Sequence, residues 1–163
     1  MKKIILLSDT HSALDERFLL HIEDANEIWH AGDIGDIEVL EKLDKITKVR
    51  AVYGNIDHHI IRSATKEFIN FKCEEVNVLI THIGGYPGKY SKGIKEKIQK
   101  LRPKLFICGH SHILKVIFDK RFNLLHMNPG AAGNYGIHKV KTILKFKIDK
   151  ENITDLKVIE LNR

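Results

Sequence analysis

The stretch Lys3-Ile4-Ile5-Leu6-Leu7-Ser8-Asp9-Thr10-His11 decides the architecture. Four consecutive aliphatic residues bounded by Ser and Asp read as a strand covered on both faces, and in open α/β folds ligands gather beyond the carboxyl ends of such strands. Asp9 and His11 are two apart, so a backbone that stays extended through Thr10 points both side chains the same way, as two ligands of one cation require. Alone, Asp-x-His is also an ordinary turn signal, so its meaning depends on what the rest of the chain adds.

The same signal repeats downstream. A helical pattern from Ala13 to Glu23 leads to the short strand Glu27-Ile28-Trp29-His30, which exits into Ala31-Gly32-Asp33. A second helical pattern, Asp36 to Leu43, leads to a strand over 48–53 that exits into Gly54-Asn55-Ile56-Asp57. Right-handed crossovers bring the ends of successive parallel strands to one edge, so three acid- or amide-bearing exits predict one shared site.

From Glu67 the pattern changes to a hairpin, Phe68–Phe71 and Val76–Ile80, ending in Thr81-His82. The glycine-rich run Gly84-Gly85-Tyr86-Pro87-Gly88 precedes an amphipathic stretch, Tyr90 to Leu101, whose lysines read as a solvated helix face. Leu105–Cys108 is a further buried strand, ending in Gly109-His110-Ser111-His112, and the segments 113–118, 124–127, 142–148 and 153–161 read as antiparallel strands.

Composition narrows the class. At 163 residues and 43% hydrophobic content the chain makes one domain, 1–163, with a core of its own. The apolar run near Met1 is too short for a signal peptide, and no apolar stretch is long enough to span a membrane. The net charge of +6 favours anionic partners. The lysines form no long block and aromatic platforms are few, with four Tyr and one Trp, so a dedicated nucleic-acid surface is disfavoured. Cys73 and Cys108 lack the close partners of a zinc ribbon or redox pair and read as buried thiols in a reducing cytoplasm. Ten histidines in so short a chain call for another explanation.

Collected, the strand-end residues are Asp9, His11, Asp33, Asn55, His82, His110 and His112, a mixed nitrogen and oxygen donor set. Seven donors exceed the needs of one ion and suit two first-row ions sharing a carboxylate. The absence of cysteine from the set argues against a structural thiolate zinc site, and the imidazoles argue against a pure calcium or magnesium cage.

In this order, Asp9-x-His11, Gly32-Asp33, Gly54-Asn55-x-Asp57, Thr81-His82 and Gly109-His110-Ser111-His112 resemble the calcineurin-like metallophosphoesterase superfamily. Met127-Asn128-Pro129-Gly130-Ala131 resembles the Asn-Pro-Gly-Ser segment of its small prokaryotic phosphodiesterase branch. The resemblance implies an α/β single domain built as a four-layer α/β/β/α sandwich of two mixed sheets, with a dinuclear centre between strand ends. It implies Asp9, His11 and His112 on the first metal, Asn55, His82 and His110 on the second, and Asp33 bridging. Asp33 is also the best bridge on chemical grounds, because Asp9 pairs naturally with His11 and a carboxylate binds two ions where an imidazole does not.

The activity implied is hydrolysis of a small phosphodiester by a hydroxide activated by two divalent ions, manganese first, with nickel, iron, zinc or magnesium as alternatives. Asp33, Asn55, His82 and Asp57 are the expected catalytic residues. Two departures stand out. The position after Gly54-Asn55, often a histidine that with Asp57 assists the leaving group, is Ile56, so His58 or His59 is left as a candidate acid. The usual Gly-His after Thr81-His82 is Ile83-Gly84. The competing reading is a non-catalytic metal-binding or scaffold protein on the same fold, like a retromer subunit; the seven intact ligands argue against it, and homo-oligomer formation is left open.

Overall fold

The computed structural model describes all residues, 1–163. Two five-stranded sheets lie face to face. The first, in the order β12-β11-β1-β2-β3, is made of β1 (Lys2–Leu7), β2 (Glu27–His30), β3 (Lys48–Ala51), β11 (Val140–Asp149) and β12 (Asn152–Asn162). The second, in the order β4-β5-β8-β10-β9, is made of β4 (Phe68–Cys73), β5 (Val76–Thr81), β8 (Leu105–Ile107), β9 (Leu114–Asp119) and β10 (Leu124–Pro129). Both are mixed. In the first sheet β1, β2 and β3 run parallel, as the repeated strand-exit signals predict, while β11 pairs antiparallel with β1 and with β12. In the second, β5, β8 and β10 are parallel and the edge strands β4 and β9 antiparallel.

The run Ile4–Leu7 shows why β1 has no polar alternation. Ile4 and Leu6 enter the core between the sheets, with Trp29, Val78, Ile80, Ile107 and Met127, while Ile5 and Leu7 pack against Phe18, Ile22, Val39 and Leu43 on the outer side. All four are fully buried, which at ~1.5–3 kcal/mol each makes this strand the axis of the fold. The outer face of the second sheet is covered by α4 (Ile94–Leu101), through Ile94 and Ile98 against Leu79 and Phe106. The result is the four-layer sandwich that the resemblance implies.

Local departures have identifiable causes. The helix expected over 13–23 is a 3₁₀ turn, Glu16–Phe18, followed by a single turn α1 (Leu19–Ile22), because the Asp15 carboxylate accepts the Arg17 N–H and starts the helical path only there. The pattern over 36–43 forms α2 (Ile37–Asp44). A six-residue helix, α3 (His59–Ala64), follows the third strand where no helix was expected. The stretch expected as helix from Tyr90 begins instead as a short hairpin, β6 (Gly85–Tyr86) with β7 (Lys89–Tyr90), and α4 starts only after Gly93, whose φ of 79° lies outside helical geometry. β10, expected among antiparallel strands, is antiparallel to β9 but parallel to β8.

Candidate metal centre

The strand exits converge as predicted, but not by the route that alternation suggests. Asp9 and His11 do not continue an extended strand: their φ angles are 55° and 45°, in the left-handed region, and Asp33, His110 and His112 share it at 51°, 69° and 57°. Five of the seven expected ligands therefore hold a conformation that L-residues avoid, at a cost of about 1–3 kcal/mol each, which Asp and His tolerate better than most. Main-chain bonds lock these loops together. Asp9 N–H donates to the Gly32 carbonyl at 2.9 Å, His11 N–H to that of Asp33 at 3.0 Å, and Ser12 N–H to that of Ile34 at 2.8 Å.

The donors fall into two groups. Asp9, His11 and His112 bring one ligand atom each to within 4.8 Å of one another, and Asp33, His82 and His110 do the same. His112 Nε2 lies 3.2 Å from Asp9 Oδ1, and His82 Nε2 lies 3.2 Å from Asp33 Oδ1. Asp33 spans the groups, since its Oδ2 is 3.6 Å from His11 Nε2. Asn55 Oδ1 reaches His82 Nε2 at 3.1 Å, which places it in the second group. The groupings are those the resemblance implies, with Asp33 between.

Three observations test whether these residues fit divalent cations. Asp9 Oδ1 and His11 Nε2 are buried without any hydrogen-bond partner, an expense that a bound cation removes. His82 Nδ1–H donates to the Ala31 carbonyl at 2.7 Å, which fixes the tautomer that presents Nε2 as a lone pair, the usual support of a metal-bound imidazole. The separations near 3.2 Å match ligand atoms bound at about 2.0–2.2 Å around a common ion. The residues fit.

Electrostatics differ between the donors. Burial works against charge at His82, yet its hydrogen bond to Asp33 and the charges of Asp9 and Asp33 raise its pKa above the ordinary value, so a cation at Nε2 takes the place of a proton there. Burial likewise opposes ionisation of Asp33, but His82, the Ile56 N–H and His11 pull its carboxyl below the usual range. At His11 burial dominates and lowers the pKa, leaving the imidazole free to donate its lone pair.

The surrounding shell is fitted to these groups. A Cβ on Gly54 would overlap Asp33 Oδ1, and one on Gly109 would overlap Ser8 Oγ and come within 2.8 Å of Asp9 Oδ2. Asn128, fully buried, donates from Nδ2 to the Gly109 carbonyl at 2.8 Å and to Ser111 Oγ at 3.1 Å, holding the loop that carries His110 and His112.

Asp57 requires a correction. It is 2% exposed, and its carboxylate accepts N–H groups of Ile34 at 3.1 Å, Gly35 at 2.8 Å and Gly54 at 2.7 Å. Both oxygens are committed to the main chain, so Asp57 is a positioning residue that ties the exits of β2 and β3, not a group facing a substrate. Ile56 is exposed and gives its N–H to Asp33 Oδ1 at 3.1 Å; His58 and His59 are exposed beside it.

Three neighbours had no sequence signal. The Tyr135 ring lies 4.8 Å from that of His11, and the His138 ring 5.4 Å from that of His112, both on the loop after Gly133. Arg62 on α3 donates from Nε to the Asp57 carbonyl at 2.6 Å and stacks 4.3 Å over Tyr53. Only the closure of the sandwich brings 133–138 over the first group, and no local pattern announces that.

A two-sheet sandwich with paired candidate His/Asp cation sites at its strand exits is an architecture that metallophosphoesterases share. The family model for the calcineurin-like phosphoesterase superfamily domain matches residues 1–151, and the chain belongs to that superfamily. No curated protein matches it in sequence. Among solved structures it is similar to a Vps29 mutant from Entamoeba histolytica, at TM-score 0.78 and 17% identity over 99% of each chain. The wild-type Vps29 of that organism complexed with zinc matches at TM-score 0.76 and 16% identity over 98% of each chain. A predicted phosphoesterase from Streptococcus pneumoniae matches at TM-score 0.71 and 19% identity, over 99% of this chain and 89% of that one. At these identities the likeness speaks for the fold alone.

Proposed function

We propose that the protein is a metal-dependent phosphodiesterase acting on small phosphodiesters in the cytoplasm, with two divalent ions, manganese foremost. The observation that carries this reading is the complete donor set closing on two buried acceptors without partners, Asp9 Oδ1 and His11 Nε2. When bound, two cations supply Lewis acidity that acidifies water and offsets charge on the phosphoryl oxygens. The chain's own residues do the positioning: Asp33 spans both groups, Asn55 and His82 face the cleft beside them, and Ala31 holds the His82 tautomer. Since Ile56 has no proton to give, substrates with stabilised leaving groups are favoured.

The test is hydrolysis of bis(4-nitrophenyl) phosphate by protein reconstituted with manganese, nickel, iron, zinc or magnesium. Turnover is expected, with a loss of about a hundredfold or more in Asp33→Ala and His82→Ala variants that remain folded by circular dichroism. A second reading, a non-catalytic metal-binding scaffold, draws on the likeness to Vps29 along the whole chain. Two bound ions per chain without turnover on any diester or monoester would favour it.

A further inference from the structure

A cleft of about 520 Å³ opens directly from the second donor group, with Asn55 and His82 among its walls. Its far side is built from elements distant in sequence: Arg62 of α3, Glu67 and Phe68 at the start of β4, and Lys92 and Lys97 at and beyond the start of α4. The lysines read from sequence as a solvated helix face are thus divided, and these two turn toward the cleft. Neither ammonium group has a carboxylate partner; Lys97 Nζ lies 5.0 Å from the centroid of the partly exposed Phe68 ring. Arg62 spends Nε on the Asp57 carbonyl, and Glu67 is the only acid in the lining, so the far side carries excess positive charge.

We propose that this cleft receives a second anionic group, remote from the scissile phosphate, on the phosphodiester substrate, with Lys92 and Lys97 as its specificity-determining cations. The inference rests on the phosphodiesterase reading and names the class of substrate within it. A lone phosphodiester needs only the metal centre and its first contacts. Two unpaired lysines on a concave surface joined to that centre are suited to a phosphate a few bonds away, and Phe68 and Tyr53 offer flat apolar walls for the connecting moiety. Lys92 is as exposed as Lys95 and Lys100 of the same stretch, but Lys92 and Lys97 line the cleft and those two do not.

The test compares thymidine 5′-(4-nitrophenyl phosphate) with the same compound bearing a 3′-phosphate. Both release the same nitrophenolate from the same kind of diester, so the ratio of their kcat/KM values reports the remote charge alone. The manganese-loaded wild type is expected to favour the 3′-phosphate by about tenfold or more, largely through KM. In the Lys92→Ala/Lys97→Ala double variant the ratio should collapse toward one, and Lys92→Arg/Lys97→Arg should retain it. A wild-type ratio at or below one, or a ratio untouched by the alanine pair, overturns the proposal. Binding of thymidine 3′,5′-bisphosphate, measured calorimetrically, separates this failure from failure of the catalytic reading. If no diester turns over, a roughly tenfold weaker affinity in the alanine pair still upholds the anion site, and equal affinities overturn it.

Discussion

A fully buried imidazole such as His30 keeps its place only while neutral. Its Nδ1 accepts the Gly32 N–H at 3.2 Å, which leaves the proton on Nε2 to donate to Thr10 Oγ1 at 3.0 Å; that hydroxyl in turn donates to the Ile34 carbonyl at 2.9 Å. The chain is fully satisfied, and a second ring proton would put an N–H against the Gly32 N–H. Burial accordingly depresses the His30 pKa from 6.5 to about 4. Because the folded-state value lies below the unfolded one, His30 supports the fold above pH 6.5, and that support is lost as pH falls toward 4. At 1.36 kcal/mol per unit the loss reaches roughly 3 kcal/mol. His126, also fully buried and depressed to about 4 by burial, acts in the same direction. Metal-free protein titrated from pH 7 to 4 should therefore lose stability in urea, and His30→Gln should flatten that slope. An unchanged slope would show that the acid limb belongs to other groups.

The loops that leave β1, β2 and β3 are stapled to each other. Asp57 illustrates this, since one carboxylate accepts three main-chain N–H groups from two exits. Asp57→Ala leaves those donors buried and unpaired, at about 1–3 kcal/mol for each that water does not reach. The expected outcome is a lower melting temperature together with lower metal content. Asp57→Asn, whose single remaining acceptor oxygen serves only part of the set, should fall between. A normal melting temperature with lost turnover would instead return Asp57 to direct contact with substrate. Gly54→Ala is a sharper probe, because the new methyl displaces Asp33 itself; metal occupancy should fall while the two sheets stay intact. These staples mark the boundary of what the sequence discloses. Residue types at strand ends pointed to the seven candidate donors, because a buried parallel strand followed by Asp or His is a local signal; their division into two groups came from the family resemblance. The left-handed turns at Asp9 and His11, the commitment of Asp57 to the main chain, and the arrival of Tyr135 and His138 depend on contacts between exits far apart in the chain. α3 escaped because a single turn and a half, His59–Ala64, offers too little periodicity to read.

Across the whole domain, the sandwich supports a centre that is costly without its cations. Five donors sit at positive φ, two buried acceptors lack partners, and the Asp9 and Asp33 carboxylates share one basin with four imidazoles. The two cores between and outside the sheets carry that expense, so the metal-free chain should fold, with reduced stability. Cations that bind only the folded form add about 2.7 kcal/mol per site at a hundredfold their Kd. For a domain of this length each kcal/mol moves the melting temperature by about 2–4 °C, so filling one site should raise it by roughly 5–10 °C and filling both by more. Elemental analysis should find two ions per chain. Asp33→Ala takes away the carboxylate that both groups use, so the response to manganese should fall by half or more. The same variant should also lose some stability when metal-free, because it deprives His82, His11 and the Ile56 N–H of the carboxylate they hold ionised. Differential scanning fluorimetry of wild type and Asp33→Ala, each with chelator and with manganese, reads all four states. An equal metal-induced rise in both proteins would mean that the ions stabilise the fold from somewhere other than the strand exits.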